Sequence, residues 1–119
     1  MTTEHALLKL AHRTPMVPED ARALVDLLSG HFGIAAPQVR FRVRSYGKAG
    51  PLGRYIVLPR ERMRPASGAI GYLRVGIVVH EFAHILARLL HGRVEHGLQF
   101  VQVLDAVLRV SQPLWEETR

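Results

Sequence analysis

Two histidines and a glutamate stand close together in the run His80-Glu81-Phe82-Ala83-His84. In an α-helix, residues four apart lie about 40° apart around the axis and about one turn apart along it, so both imidazoles project to one side. Two imidazoles placed in this way can bind one zinc ion at about 2.1 Å. Glu81 follows the first ligand, where its carboxylate can take a proton from metal-bound water. The spacing therefore predicts a hydrolytic zinc site.

A catalytic zinc site needs a third protein ligand, and three residues further along the chain compete for that role. If the helix continued, a rise of 1.5 Å per residue would place His91 roughly 10 Å beyond His84, too far to share one ion. His96 follows the chain reversal expected at Gly92, and a turn of this length can bring the next helix back over the first. We therefore predict His96 as the third ligand and keep Glu95 as the alternative.

Composition limits what else the chain can be. Its 119 residues, 48% of them hydrophobic and 22% charged, are typical of one globular domain, so residues 1–119 are expected to form a single domain. The chain has no cysteine, so imidazole, carboxylate or water must hold any metal. We recognise neither a membrane-spanning run nor a signal peptide, and the cytoplasm is the expected compartment.

A net charge of +6 raises a second hypothesis, a surface that binds nucleic acid. Fourteen of the sixteen basic residues are arginine, however, and a GC-rich coding sequence also produces that bias. The arginines form two alternating clusters: Arg40, Arg42 and Arg44, then Arg60, Arg62 and Arg64. Either cluster can contact a phosphate backbone or serve as a solvated face that protects a sheet edge.

The periodicity of the first half predicts two helices and two strands. One helix is expected at about 3–13, and a second from Pro18 to about His31, with a proline and two acids at its start. Its apolar stripe is Ala21, Leu24, Val25, Leu27 and Leu28. Alternation over 39–44 and the apolar run 55–58 predict two strands, which we expect to form an antiparallel hairpin with a long loop.

The second half is predicted to hold the active-site helix and a C-terminal helix. The first runs from about Gly71 to Leu90, is apolar on most faces and ends before Gly92. The second runs from about Gly97 to Val110 and is closed by Pro113. Its predicted inward residues are Phe100, Val101, Leu104, Val107 and Leu108.

The segment from Val79 to Phe100 resembles the SprT-like metallopeptidases, which include the eukaryotic Spartan protease. Members carry HExxH, a variable turn, and then HGxxF or HGxxW. This chain matches the second motif as His96-Gly97-Leu98-Gln99-Phe100. A looser likeness extends over about residues 20–112. The chain departs from fuller members in lacking the cysteines of a C-terminal zinc ribbon.

The resemblance implies a ligand set and a fold. It assigns His80, His84 and His96 to one Zn²⁺ ion and Glu81 to general acid/base duty, and it packs Phe100 in the core behind the ligands. The fold expected is α+β, a minimal zincin-like domain with N-terminal helices, a short antiparallel sheet, an active-site helix and a C-terminal helix. Two further roles remain open: a tyrosine for the oxyanion (Tyr46, Tyr55 or Tyr72), and Asp105 as a carboxylate orienting an imidazole.

The expected function is therefore zinc-dependent hydrolysis of peptide bonds in a protein or peptide substrate. One alternative keeps the metal and changes the substrate to something other than a peptide. The other is a basic nucleic-acid-binding module with a structural metal. Because Spartan acts on proteins crosslinked to DNA, DNA or a DNA-bound protein is a further candidate partner. The sequence predicts no membrane association and gives no oligomeric state.

Overall fold

The computed structural model describes residues 16–42, 48–49, 55–59, 73, 75–92 and 97–118, with the side chains of 42, 48, 49, 59 and 112–118 left aside. The helix predicted at 3–13 lies outside these residues. The elements described are α1 (Pro18–Phe32), β1 (Gln38–Arg42), β2 (Lys48–Ala49), β3 (Tyr55–Pro59), α2 (Val75–His91) and α3 (Leu98–Thr118). They make an α+β fold, as predicted. Among the described helices, none has the length and apolarity needed to cross a membrane.

Helix α1 forms where its end signals predict. Pro18 occupies the first turn with two acidic residues, and Gly33 ends the helix at φ +67°, a left-handed conformation that glycine adopts without strain. The predicted stripe is buried except at Leu27, which is 39% exposed. At 100° per residue, Leu27 lies about 60° outside the arc of the other four, so the prediction was wrong there.

The sheet has three strands in the order β1-β3-β2, and it is mixed. β1 pairs with β3 in parallel, with Gln38 opposite Tyr55, whereas β2 pairs with β3 antiparallel. The predicted antiparallel hairpin of β1 and β3 is therefore wrong. Its cause is β2, which has two residues, too few for periodicity to reveal. β2 runs opposite to β3, and β3 runs the same way as β1.

Side chains alternate between the two faces of this sheet. Val39 and Phe41 of β1 stand opposite Ile56 and Leu58 of β3, and all four belong to the core or pack against it. Arg40 projects to the other face and is exposed, as the alternation predicts. The sheet thus presents an apolar face to the helices, whereas its other face combines the exposed Arg40 with Tyr55 and with Val57, which is 7% exposed.

The two C-terminal helices differ from prediction at their ends. α2 begins at Val75, whereas the prediction began it at about Gly71. It ends as predicted: Gly92 has φ +75° and its N–H donates to the carbonyl oxygen of Arg88. α3 continues through Pro113 to Thr118, so the prediction that Pro113 closes it was wrong. Proline has a helical φ and lacks one hydrogen-bond donor, which weakens a helix without always ending it.

Helix α2 lies between the other elements. It contacts β2, β3, α1 and α3, and α1 also contacts α3 and β1. The backbone N–H of Met16, just before α1, donates to the carbonyl of Leu73, just before α2, and both residues are buried. Because α2 has neighbours on several sides, its polar residues are the ones whose placement most needs an explanation.

Candidate metal centre

The helix that carries the predicted motif is buried on nearly every face. From residue 75 to residue 87 every side chain of α2 is buried except those of His80 and His84, which are partly exposed. The two imidazoles therefore form the one polar opening along this stretch of α2. Two imidazoles side by side on one face of a helix are a pair of donors that fits a divalent cation.

The imidazoles of His80 and His84 lie side by side. Their ring centroids are 4.8 Å apart and their planes are inclined by 40°. Two nitrogens bound to one ion at about 2.1 Å can be no more than about 4.2 Å apart. Rings at this centroid separation can present nitrogens within that limit, so the pair fits one metal ion. The two histidines therefore lie together on one side of α2, as predicted.

A phenylalanine from the neighbouring helix packs against both rings. The centroid of Phe100 is 4.4 Å from that of His84 in a stacked arrangement, and 5.5 Å from that of His80 in an edge-to-face one. Phe100 is fully buried in the first turn of α3. The sequence places it in the core, and this placement is correct. Its direct contact with both imidazoles was not predicted.

Glu81, the residue that follows His80 on α2, is buried. Its side chain is 6% exposed, although glutamate is seldom found in a protein core. Burial raises the pKa of its carboxyl from 4.5 to about 7, because the charged form loses hydration. A surface placement of all three polar residues, the simplest non-functional explanation of the motif, does not hold for Glu81.

The predicted third ligand, His96, lies outside the described residues, and so does the alternative, Glu95. His91 is described: it is the last residue of α2 and is exposed. Within the part of the chain that the structure describes, no three His, Cys, Asp or Glu side chains form a group able to hold a metal. His91 thus does not join His80 and His84, in agreement with the axial distance argument.

Of the other residues with predicted roles, some contact another residue in the structure, and the rest lie outside the described residues or side chains. Asp105 accepts a hydrogen bond from Arg109 Nε at 2.9 Å, one turn along α3. Tyr55 is partly buried beneath Arg40, whose guanidinium carbon lies 4.2 Å from the ring centroid. Outside the described residues or side chains lie Tyr46, Tyr72, Arg42, Arg44, Arg60, Arg62 and Arg64.

Comparisons of this chain with protein-family models, with curated proteins and with solved structures find no match. The described part of the candidate metal centre consists of two converging imidazoles, a buried carboxyl on the residue that follows His80, and an aromatic ring packed against both imidazoles.

Proposed function

We propose that this chain is a zinc-dependent metallopeptidase with a zincin-like, SprT-like domain. The observation that carries the proposal is the opening in α2, where His80 and His84 converge beside the buried Glu81 on an otherwise enclosed helix. Three polar side chains within five residues of an otherwise apolar, enclosed helix are unusual for a purely structural element. A hydrolytic metal site accounts for all three residues together.

In this proposal His80 and His84 are two of the ligands, and His96 is the third. With no cysteine in the chain, an all-nitrogen donor set is consistent with zinc. When bound, zinc acidifies water and polarises a carbonyl group. The protein's own contribution is to hold the two imidazoles in convergence and to exclude bulk water from the inner side of the site.

In this proposal Glu81 acts as the general acid/base. Its neighbour in sequence is the first ligand, and its carboxyl is held within the core, where solvation by water is weak. It takes a proton from the attacking water and returns that proton to the leaving amine. Both transfers need a carboxyl close to the ligand pair, and the motif spacing supplies one.

The peptide class of substrate is supported by the resemblance to SprT-like proteases and by the form of the sheet. β1 and β2 are the outer strands of the sheet described, and an outer strand can pair with an extended peptide through its main chain. Such pairing tolerates many side chains and needs no deep pocket. We therefore expect broad sequence tolerance.

The test is zinc content and turnover of an unfolded, fluorescently labelled polypeptide by the protein and by Glu81→Gln. Glu81→Gln should keep zinc and lose at least about 100-fold in turnover, since positioned acid/base groups contribute about that much or more. Asp105→Asn is the matched control, because it also neutralises an acid but one that pairs with Arg109; it should keep both zinc and turnover. Full activity in Glu81→Gln would refute the mechanism.

The same preparation separates the alternatives. A zinc hydrolase of non-peptide substrates would bind zinc, depend on Glu81 and leave every labelled polypeptide intact. The nucleic-acid module has one supporting observation: Arg40 is exposed on the outer sheet face, stacked over Tyr55 and hydrogen-bonded from Nε to Gln38 Oε1 at 2.9 Å. It predicts DNA binding that weakens steeply with salt and with Arg40→Ala. DNA binding that is insensitive to both salt and Arg40→Ala would refute the nucleic-acid-binding alternative.

A further inference from the structure

Two phenylalanines close to the histidine pair are fully buried, and they differ in what they contact. Phe82 lies on α2 between the two histidines in sequence, and its centroid is 6.2 Å from that of Phe32 on α1. Phe100 comes from α3 and has both imidazoles as ring neighbours. Equal burial with unequal contacts makes the two residues a natural pair for comparison.

The contacts of Phe100 define the inner boundary of the site. His80 and His84 are partly exposed, whereas Phe100 is fully buried, so its ring lies on the protein side of the two imidazoles. It stacks on His84 with 27° between the planes and meets His80 at 66°. Packed rings at such distances restrict the χ2 rotations that would turn an imidazole.

We propose that Phe100 is a positioning residue for the metal centre: its ring fixes the orientation of both imidazoles and thereby raises the affinity for zinc. This inference rests on the proposed function. A histidine that must be reoriented on binding loses affinity, whereas one already held in place does not. Phe100 does this by contact with the ligand rings, and it touches neither water nor substrate.

The position of Phe100 also couples two elements of the fold. It lies in the first turn of α3, which begins at Leu98, and α3 packs against α2. The docking of α3 therefore sets the orientation of ligands that belong to α2. Phe82 differs in belonging to α2 itself, and its ring neighbour is Phe32 of α1.

The first experiment uses the unmodified, metal-free protein, so that no substitution can prevent folding. In NMR spectra the carbon-bound ring protons of His84 should be shifted upfield by the stacked ring, with nuclear Overhauser contacts to Phe100. Adding zinc should leave these contacts in place. Imidazole resonances at random-coil positions, without contacts to Phe100, would overturn the proposal.

The second experiment compares zinc affinity in Phe100→Leu and Phe82→Leu by competition with a chelating dye. Both substitutions remove the same atoms from a fully buried site, so a merely structural role predicts equal effects. We expect Phe100→Leu to raise the zinc dissociation constant by roughly 10- to 100-fold, the range seen when the partners that orient metal ligands are lost. Phe82→Leu should change it much less, and Phe100→Tyr, which keeps the ring, should restore it.

The outcomes distinguish this proposal from the one on which it rests. If the unmodified protein binds no zinc, the proposed function fails and this inference fails with it. If it binds zinc and turns over peptide while Phe100→Leu and Phe82→Leu bind equally, only the positioning role is refuted. If Phe100→Leu does not fold, the zinc affinity of Phe100→Tyr and the NMR spectra of the unmodified protein still test the positioning role.

Discussion

The two ends of helix α2 look alike in sequence and differ sharply in environment. From residue 75 to residue 87 the helix is enclosed, with only two partly exposed side chains, whereas every residue from 88 to 91 is exposed. Leu89 and Leu90 are as apolar as Leu86, yet they are 55% and 62% exposed. Residue type does not separate them, so the difference arises from where the neighbouring elements stop covering α2.

The histidines of α2 show the same contrast. His84 and His91 are seven residues apart and so lie within about 20° of each other around the helix axis. His84 is partly exposed and stacked on Phe100, whereas His91 is exposed beyond the covered part of the helix. A common face is therefore insufficient for a shared site. Axial position relative to α3 decides which histidines converge.

The largest effect should follow from removing a histidine at the covered end. His84→Ala should weaken zinc binding by more than about 100-fold, since even residues that only orient ligands cost about 10- to 100-fold. His91→Ala should leave the affinity essentially unchanged. Zinc titration by isothermal calorimetry measures both. A comparable loss of zinc affinity in His91→Ala would mean that His91 also belongs to the site. The contrast between the two ends of α2 would then be wrong.

Leu86 and Leu90 test the same contrast between the two ends of α2 through the free energy of unfolding. Leu86→Ala should lower the free energy of unfolding by about 2–5 kcal/mol, because it opens a cavity in a packed core. Leu90→Ala, the matched control on the exposed turn, should change it by less than about 0.5 kcal/mol. Urea denaturation of the metal-free proteins gives both values. Equal losses would mean that the last turn is covered as well.

Glu81 makes the covered end sensitive to pH. Because its pKa is about 7 in the folded state and ordinarily 4.5, the native protein keeps a proton that the unfolded chain releases. This contribution to stability is fully present below pH 4.5 and is lost as the pH rises through about 7. Raising the pKa from 4.5 to about 7 corresponds to a loss of about 3 kcal/mol once the pH exceeds 7.

The measurement is denaturation of the metal-free protein and of Glu81→Gln across this range of pH. Glu81→Gln has no carboxyl to ionise and should lose less stability between pH 4.5 and 7. Parallel stability curves for the two proteins would show that Glu81 is hydrated in solution, and the enclosure of this end of α2 would then be wrong.

The smallest effect is expected at the glycine that ends α2. Gly92→Ala places a side chain at φ +75° and should cost about 1–2 kcal/mol, although no atom lies within 4 Å of the added Cβ. Gly30→Ala, within α1 and equally free of contacts, should instead stabilise the protein by up to about 1 kcal/mol. Thermal unfolding compares the two, and a destabilising Gly30→Ala would show that contacts, and not φ, set these values.

The elements were largely predictable from the sequence, but the pairing of the strands was not. Pro18, Gly33 and Gly92 mark helix ends through local backbone preferences, and each prediction was confirmed. The parallel pairing of β1 with β3 depends on β2, whose two residues carry no periodic signal. The continuation of α3 through Pro113 was also not predicted, because proline was expected to end the helix, whereas it only weakens one.

In the candidate site, sequence alone determined which side of α2 carries His80 and His84 and that Glu81 adjoins them, because helical geometry is a property of the local chain. The assignment of His96 as third ligand stays a prediction. Only the tertiary structure decided that Glu81 is buried, that His91 lies beyond the covered part of α2, and that Phe100 stacks against the imidazoles. These three facts depend on how α3 and the sheet pack around α2, and packing joins residues that no local pattern connects.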